Sequence, residues 1–266
     1  MRSARLLLVA LGTTLFAGCI DHAPDPELPA DQAGTIVPPS GSSSTTEPNR
    51  PQPKQAPRAT LEVLKESVLV LMLDEDDNEY FCTGTLVAKD RVVTAGHCLE
   101  RRRFHDYQVI APLADGAPRV TASNPTPMSD RFLDVAEPDF GFLTLDEPIE
   151  LAQYGVLTDV TARVDEGATV KVATAVRQEE EREAPLEAVD GLEVRSTTDM
   201  GYDHGFGVPL FSHGGDSGAG FFLVEDGQTT HKLVGVAREP DPDSGLDHIT
   251  RVDAKVLAWY RANAGE

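Results

Sequence analysis

A histidine, an aspartate and a serine stand in three segments whose residue types could support nucleophilic chemistry. In Val92-Val93-Thr94-Ala95-Gly96-His97-Cys98 an apolar run ends in small residues and delivers a His beside a Cys. Asp139 opens the mostly apolar run Phe140-Gly141-Phe142-Leu143-Thr144-Leu145. Ser217 lies in the glycine-rich Gly214-Gly215-Asp216-Ser217-Gly218-Ala219-Gly220. A Ser hydroxyl is a poor nucleophile until a base takes its proton. Imidazole titrates near neutral pH, so it can take that proton and return it to a leaving group. Each segment alone is modest evidence, because a lone His or Asp is more often structural and a glycine-rich turn is more often just a turn.

Together, in the order His, Asp, Ser, they resemble the chymotrypsin/trypsin family of serine endopeptidases, whose triad runs in that order. The resemblance spans residues 61 to 264 and is concentrated in Thr94-Ala95-Gly96-His97-Cys98 and Gly215-Asp216-Ser217-Gly218. It implies His97 as general base, Asp139 as the carboxylate that orients it, and Ser217 as nucleophile. It also implies an oxyanion hole made by the N–H groups of Gly215 and Ser217, with Gly at 215 leaving no side chain in the way. Asp134 competes for the carboxylate role, since Asp134-Val135-Ala136 also looks like the start of that strand. Glu137-Pro138 follows it and would break the strand, so Asp139 is the expectation. The family further implies a disulfide between Cys82 and Cys98 around a loop of about 15 residues, contributing roughly 3 kcal/mol by chain-entropy arguments. No cofactor and no metal are expected.

Several positions depart from the family. Where trypsin-type members carry an Asp at the floor of the primary specificity pocket, this sequence has Phe211. Arg238-Glu239 stands where Ser and an aromatic are usual. Arg238 could favour acidic side chains and Asp247, on the other wall, basic ones; solvation or mutual pairing is the simpler reading. His213 and His204 precede the Ser as further loop histidines. No IVGG-like activation sequence lies near residue 60, so Asp216, which in the family pairs with the new α-amino group, is expected to find internal partners. The run Glu179-Glu180-Glu181-Arg182-Glu183 reads as a solvated loop.

The elements that position these residues read as short strands: Val68–Leu73, Phe81–Ala88, Val92–Ala95, Tyr107–Ala111, Phe140–Leu145, Thr169–Val176, Leu186–Arg195, Ala219–Val224, Lys232–Ala237 and Ile249–Val252. Gly, Pro, Asp and Asn mark the joints. The pattern predicts an all-β barrel or sandwich, and the resemblance narrows it to two six-stranded antiparallel Greek-key barrels with a C-terminal helix. One barrel is expected over about 61–152, the other over about 160–252, and the helix over about 253–262, where Val252, Val256 and Tyr260 share a face.

Ahead of this domain, Arg2 and Arg5, the apolar run Leu6–Leu11 and the small residues Ala17 and Gly18 form a signal peptide, residues 1–18. Leu15-Phe16-Ala17-Gly18-Cys19 looks like a bacterial lipobox, which implies lipidation of Cys19 and a membrane tether. Ile20 rather than Asp follows, which points to the outer membrane or cell surface. Residues 19–58 hold nine Pro and a Ser/Thr run, too little apolar surface to offset chain entropy, and read as a disordered tether. The three Cys then divide into one lipidated residue and one pair. A net charge of −21 argues against nucleic-acid partners. The expectation is an exported, lipid-anchored, monomeric serine endopeptidase acting on protein or peptide substrates. A catalytically silent protease-fold binding protein, or a precursor cut near residue 58, is the alternative.

Overall fold

The computed structural model describes residues 58–177 and 186–265. The signal peptide, Cys19, most of the tether and the Glu179–Glu183 run lie outside the described residues.

Six strands make the first barrel: β1 (Ser67–Asp74), β2 (Glu79–Ala88), β3 (Arg91–Thr94), β4 (Phe104–Ile110), β5 (Arg119–Pro127) and β6 (Gly141–Leu145). They close in the order β1-β2-β3-β6-β5-β4, with antiparallel pairings throughout. Strand alternation explains why both faces of β1 are buried. Val68, Val70 and Met72 fill the barrel with Leu86, Val92 and Leu143. Leu69, between them, faces outward into a separate core with Phe140, Phe142, Phe222 and Leu233. That second core is the seam between the barrels.

The second barrel uses β7 (Val156–Leu157), β8 (Val170–Arg177), β9 (Leu186–Ser196), β10 (Gly205–Pro209), β11 (Gly220–Glu225), β12 (Gln228–Asp241) and β13 (Leu246–Arg251). The order β11-β8-β9-β10-β13-β12 closes through pairing of β11 with β12, making a six-stranded antiparallel barrel; β7 adds two residues in parallel to β12. Val172, Phe206, Val208, Phe221 and Val234 lie in its core.

Three short helices complete the domain: α1 (Arg58–Val63), α2 (Thr161–Asp165) and α3 (Ala254–Ala264). Asp253 starts α3 by accepting the Val256 N–H at 3.0 Å, satisfying a donor that the first turn leaves open. Val256 and Tyr260 enter the seam, and Trp259 meets Phe140 edge-on with ring centroids 6.1 Å apart. Every strand expected from the sequence is present, with ends moved by a few residues. The apolar pattern did not announce α1, α2, β5, β7 or β10.

Candidate active site

β3 ends at Thr94 and a single 3-10 turn, Gly96–Leu99, carries His97. Gly96 leaves room there: a Cβ would lie 3.0 Å from Asp139 Oδ1 and 3.1 Å from Phe140 N, so both would have to give by a few tenths of an ångström. The Cys82–Cys98 disulfide ties this turn to β2, across 16 positions of sequence. It brings both sulfurs near the imidazole, but bonded to each other they offer no thiolate to a metal.

Asp139 immediately precedes Phe140 and β6 and is buried at 1% exposure. Its Oδ1 accepts the His97 backbone N–H at 2.8 Å, and its Oδ2 faces His97 Nδ1 at 2.6 Å. The same carboxylate therefore fixes both the turn and the ring, and leaves Nε2 as the imidazole nitrogen free for proton transfer. Asp134 does not meet His97. Its carboxylate accepts the Ala136 N–H and pairs with Arg131 at the surface.

The loop between β10 and β11 holds Ser217. Gly215 has φ +94° and Gly218 φ +84°, values that only Gly adopts at little cost. The loop is fastened to the first barrel through Thr83, whose N–H donates to Ser217 O at 2.7 Å and whose hydroxyl donates to Gly215 O at 3.0 Å. Gly218 N donates to Ala237 O at 2.8 Å. Ser217 and His97 face one cleft of about 840 Å³ on the seam, also lined by Phe132, Leu133, His213 and Glu239. The Ser217 hydroxyl points to Arg238 O, 3.5 Å away, and among the described residues no hydrogen bond joins it to His97. Such bonds are commonly long in empty sites and tighten around substrate. The N–H groups of Gly215 and Ser217 meet no acceptor among the described residues, whereas that of Asp216 bonds to His213 O at 3.2 Å. Two open donors thus lie beside the Ser217 hydroxyl.

Asp216 itself is buried, with Oδ1 accepting Arg177 N–H and Oδ2 accepting His213 N–H, both at 2.8 Å. Burial pushes its pKa up from 3.8 to about 6, against the pull of those two bonds and of the Arg177 charge. The expected internal partners of Asp216 are therefore backbone amides.

The residues assigned to the specificity pocket are arranged differently from one another. Phe211 packs into the second-barrel core against Phe221, ring centroids 6.4 Å apart, and does not line the cleft. Asp247 is buried beneath it, taking the N–H groups of Phe211 and Ser212 at 2.7 and 2.9 Å and the Ser212 hydroxyl at 2.5 Å. Arg238 does line the cleft, but its guanidinium turns away to the backbone of residues 132–137. His204 is paired with Asp253, Nδ1 to Oδ2 at 2.6 Å, away from the cleft lining. Phe132 and Leu133 at the cleft mouth were not foreseen, since both sit in a loop with no periodicity.

These features are similar to those of the trypsin-like serine proteases. Residues 65–187 match the Trypsin family model, a stretch that contains His97 and Asp139 and ends before Ser217. No curated protein matches the chain. Among solved structures, HL collagenase superposes with a TM-score of 0.65 at 16% identity, covering 80% of this chain and 98% of that one. The protease Anisep from Arthrobacter nicotinovorans gives 0.57 at 16% identity, covering 77% and 98%. A thermostable serine protease from an extremophilic microorganism gives 0.57 at 14%, covering 77% and 99%. At these identities the likeness is one of fold: the two barrels and the helix are chymotrypsin-like.

Proposed function

We propose that the chain is an exported, lipid-anchored serine endopeptidase. The observation that carries the catalytic reading is the double attachment of Asp139 to His97, set across a cleft from Ser217 and its two open N–H donors. Ser217 Oγ attacks the scissile carbonyl carbon as His97 Nε2 takes the hydroxyl proton. The oxyanion that forms accepts from the Gly215 and Ser217 N–H groups. Collapse of the adduct breaks the C–N bond, and His97 returns the proton to the departing amine. Water then attacks the acyl-enzyme, losing its proton to His97, and the acid leaves as Ser217 regains its hydrogen. Asp139 stabilises the imidazolium in both halves and stays ionised.

The two internal bonds to Asp216 support a domain that works without a trimmed N-terminus, and the silent or precursor alternative has no comparable support. A fluorophosphonate probe, with Ser217→Ala as control, tests the reading. Labelling lost in the variant is expected; an unlabelled wild-type chain overturns it. N-terminal sequencing of the labelled material is expected to show no new amino group near residue 60.

Export and anchoring rest on Arg2, Arg5, the apolar run and Cys19. Palmitate incorporation and recovery in the membrane fraction are expected for the full chain and lost in Cys19→Ala. Protein or peptide substrates, an extracytoplasmic location at the outer membrane or cell surface, and a monomeric state belong to the same reading.

A further inference from the structure

Arg238 is buried at 6% exposure, yet its guanidinium faces mostly backbone rather than acidic side chains. Nη2 donates to Phe132 O at 2.8 Å and Asp134 O at 3.2 Å. Nη1 donates to Glu137 O at 3.1 Å and Val135 O at 3.5 Å. Nε lies 3.4 Å from the Glu239 carboxylate, and the guanidinium sits 5.3 Å from the Tyr202 ring centroid, whose hydroxyl donates to the same carboxylate at 3.0 Å. Four carbonyls of one loop therefore converge on one planar cation.

The loop has little else to hold it. Leu133 is 88% exposed and Val135 37% exposed; of the loop's large apolar side chains only Phe132 is half-buried, its ring 6.4 Å from that of His97. Its internal bonds are local turn bonds, Asp134 N to Arg131 O and Glu137 N to Asp134 O, both at 2.9 Å, and Ala136 N to Asp134 Oδ1 at 3.1 Å. Side-chain pairs of Arg131 and Lys255 with Glu137 lie on its surface, where such pairs contribute little. Buried carbonyls without donors are costly, and a fork of several N–H groups matches four separated acceptors where an ammonium cannot. The loop leads directly into Asp139.

The backbone around the same residue belongs to the nucleophile. Arg238 O faces Ser217 Oγ at 3.5 Å, and its neighbour Ala237 exchanges hydrogen bonds with the nucleophile loop, accepting from Gly218 N and donating to Ala219 O, both at 2.8 Å. Arg238 thus belongs to the second barrel by its main chain and holds the first barrel by its side chain.

We propose that Arg238 is a positioning residue that sets the separation between Ser217 and the His97–Asp139 pair by clamping the 132–137 loop. The inference rests on the peptidase reading for its kinetic consequence but not for its structural one. Without the clamp Asp139 is delivered by a loose loop, and a misplacement of about 1 Å costs on the order of 100-fold in rate. The loss falls on the bond-making step rather than on encounter with the reagent.

The test compares the full wild-type chain with Arg238→Ala and Arg238→Lys. It measures amide hydrogen exchange over 129–139 and the saturation kinetics of fluorophosphonate inactivation. In Arg238→Ala, exchange in this segment is expected to rise by at least 10-fold while β1 and β2 stay protected. The maximal inactivation rate is expected to fall about 100-fold, with the half-saturation concentration little changed. Millimolar ethylguanidine should restore part of both in Arg238→Ala, a rescue that a merely space-filling role would not give. Arg238→Lys, which keeps the charge and much of the packing, should show the same losses in smaller measure and reports should Arg238→Ala fail to fold. Unchanged exchange and a maximal rate within twofold of wild type, in whichever variant folds, would overturn the inference. A wild-type chain that never reacts with the probe defeats the peptidase reading instead, and hydrogen exchange then decides the clamp alone.

Discussion

Asp139 grips His97 at two points, one carboxylate oxygen on the backbone N–H at 2.8 Å and the other on Nδ1 at 2.6 Å. An amide in its place can satisfy only one of these as an acceptor, and its NH2 group would force the imidazole into the wrong tautomer. Asp139→Asn is expected to keep the fold and lower kcat by about 10,000-fold. Asp134→Asn, which alters a surface turn, should leave it within twofold. Steady-state kinetics on any cleaved peptide, with thermal melts as control, checks both.

Gly215 supplies a backbone donor at φ +94°. A Cβ there would overlap Arg177 Nη1. Gly215→Ala is therefore expected to turn the peptide away from the cleft, lowering the fluorophosphonate rate by about 100-fold, the scale of a lost oxyanion donor. Gly218→Ala meets Thr94 Oγ1 and Thr83 O instead, both on the first barrel. Its signature should be a lower melting temperature as well as lost reactivity.

The Cys82–Cys98 bridge encloses β2 from Cys82 onward and all of β3, and ends beside His97. Replacing both by Ser should lower unfolding free energy by about 3 kcal/mol, read as a shift in the urea midpoint at constant slope. Because the freed turn carries the base, residual activity at low denaturant should fall before global unfolding begins.

Asp216 gives a pH dependence of defined sign. Burial raises its pKa from 3.8 to about 6, so between these values the folded chain binds more protons than the unfolded one. Its contribution is complete below about pH 3.8 and is lost as pH rises through about 6, a span on the order of 3 kcal/mol. Urea midpoints of wild type minus those of Asp216→Asn, taken from pH 4 to 7, should decline across this window.

The barrels were legible because their strands are runs of Val, Leu, Ile and Phe bounded by turn residues. β5 escaped because Ala122 is its one fully buried residue, and β10 because Gly205 and Gly207 interrupt its pattern. In α2 only Val164 is buried, too few residues to set a period. His97, Asp139 and Ser217 were readable because each sits in a contiguous signature. The orientation of Arg238 was not, because its partners are four carbonyls, and a carbonyl is the same in every residue. Phe211 misled for a related reason: position relative to Ser217 says where a residue falls along the chain, not whether its ring turns toward the cleft or the core.

All six strands of the first barrel lie within residues 67–145 and pair only with one another. A chain that emerges from its N-terminal side can therefore close this barrel, with His97 and Asp139 already joined, before Ser217 appears. The seam waits longer, for α3 brings Trp259 and Tyr260 onto Phe140 and Phe142, and the Arg91 guanidinium reaches Ala264 O at 3.2 Å. His97 and Ser217 can thus be placed at different times as well as lying far apart in sequence, and the final helix completes the seam between their barrels. A chain halted short of residue 254 would hold all three of His97, Asp139 and Ser217 and still lack the part of the seam that α3 supplies.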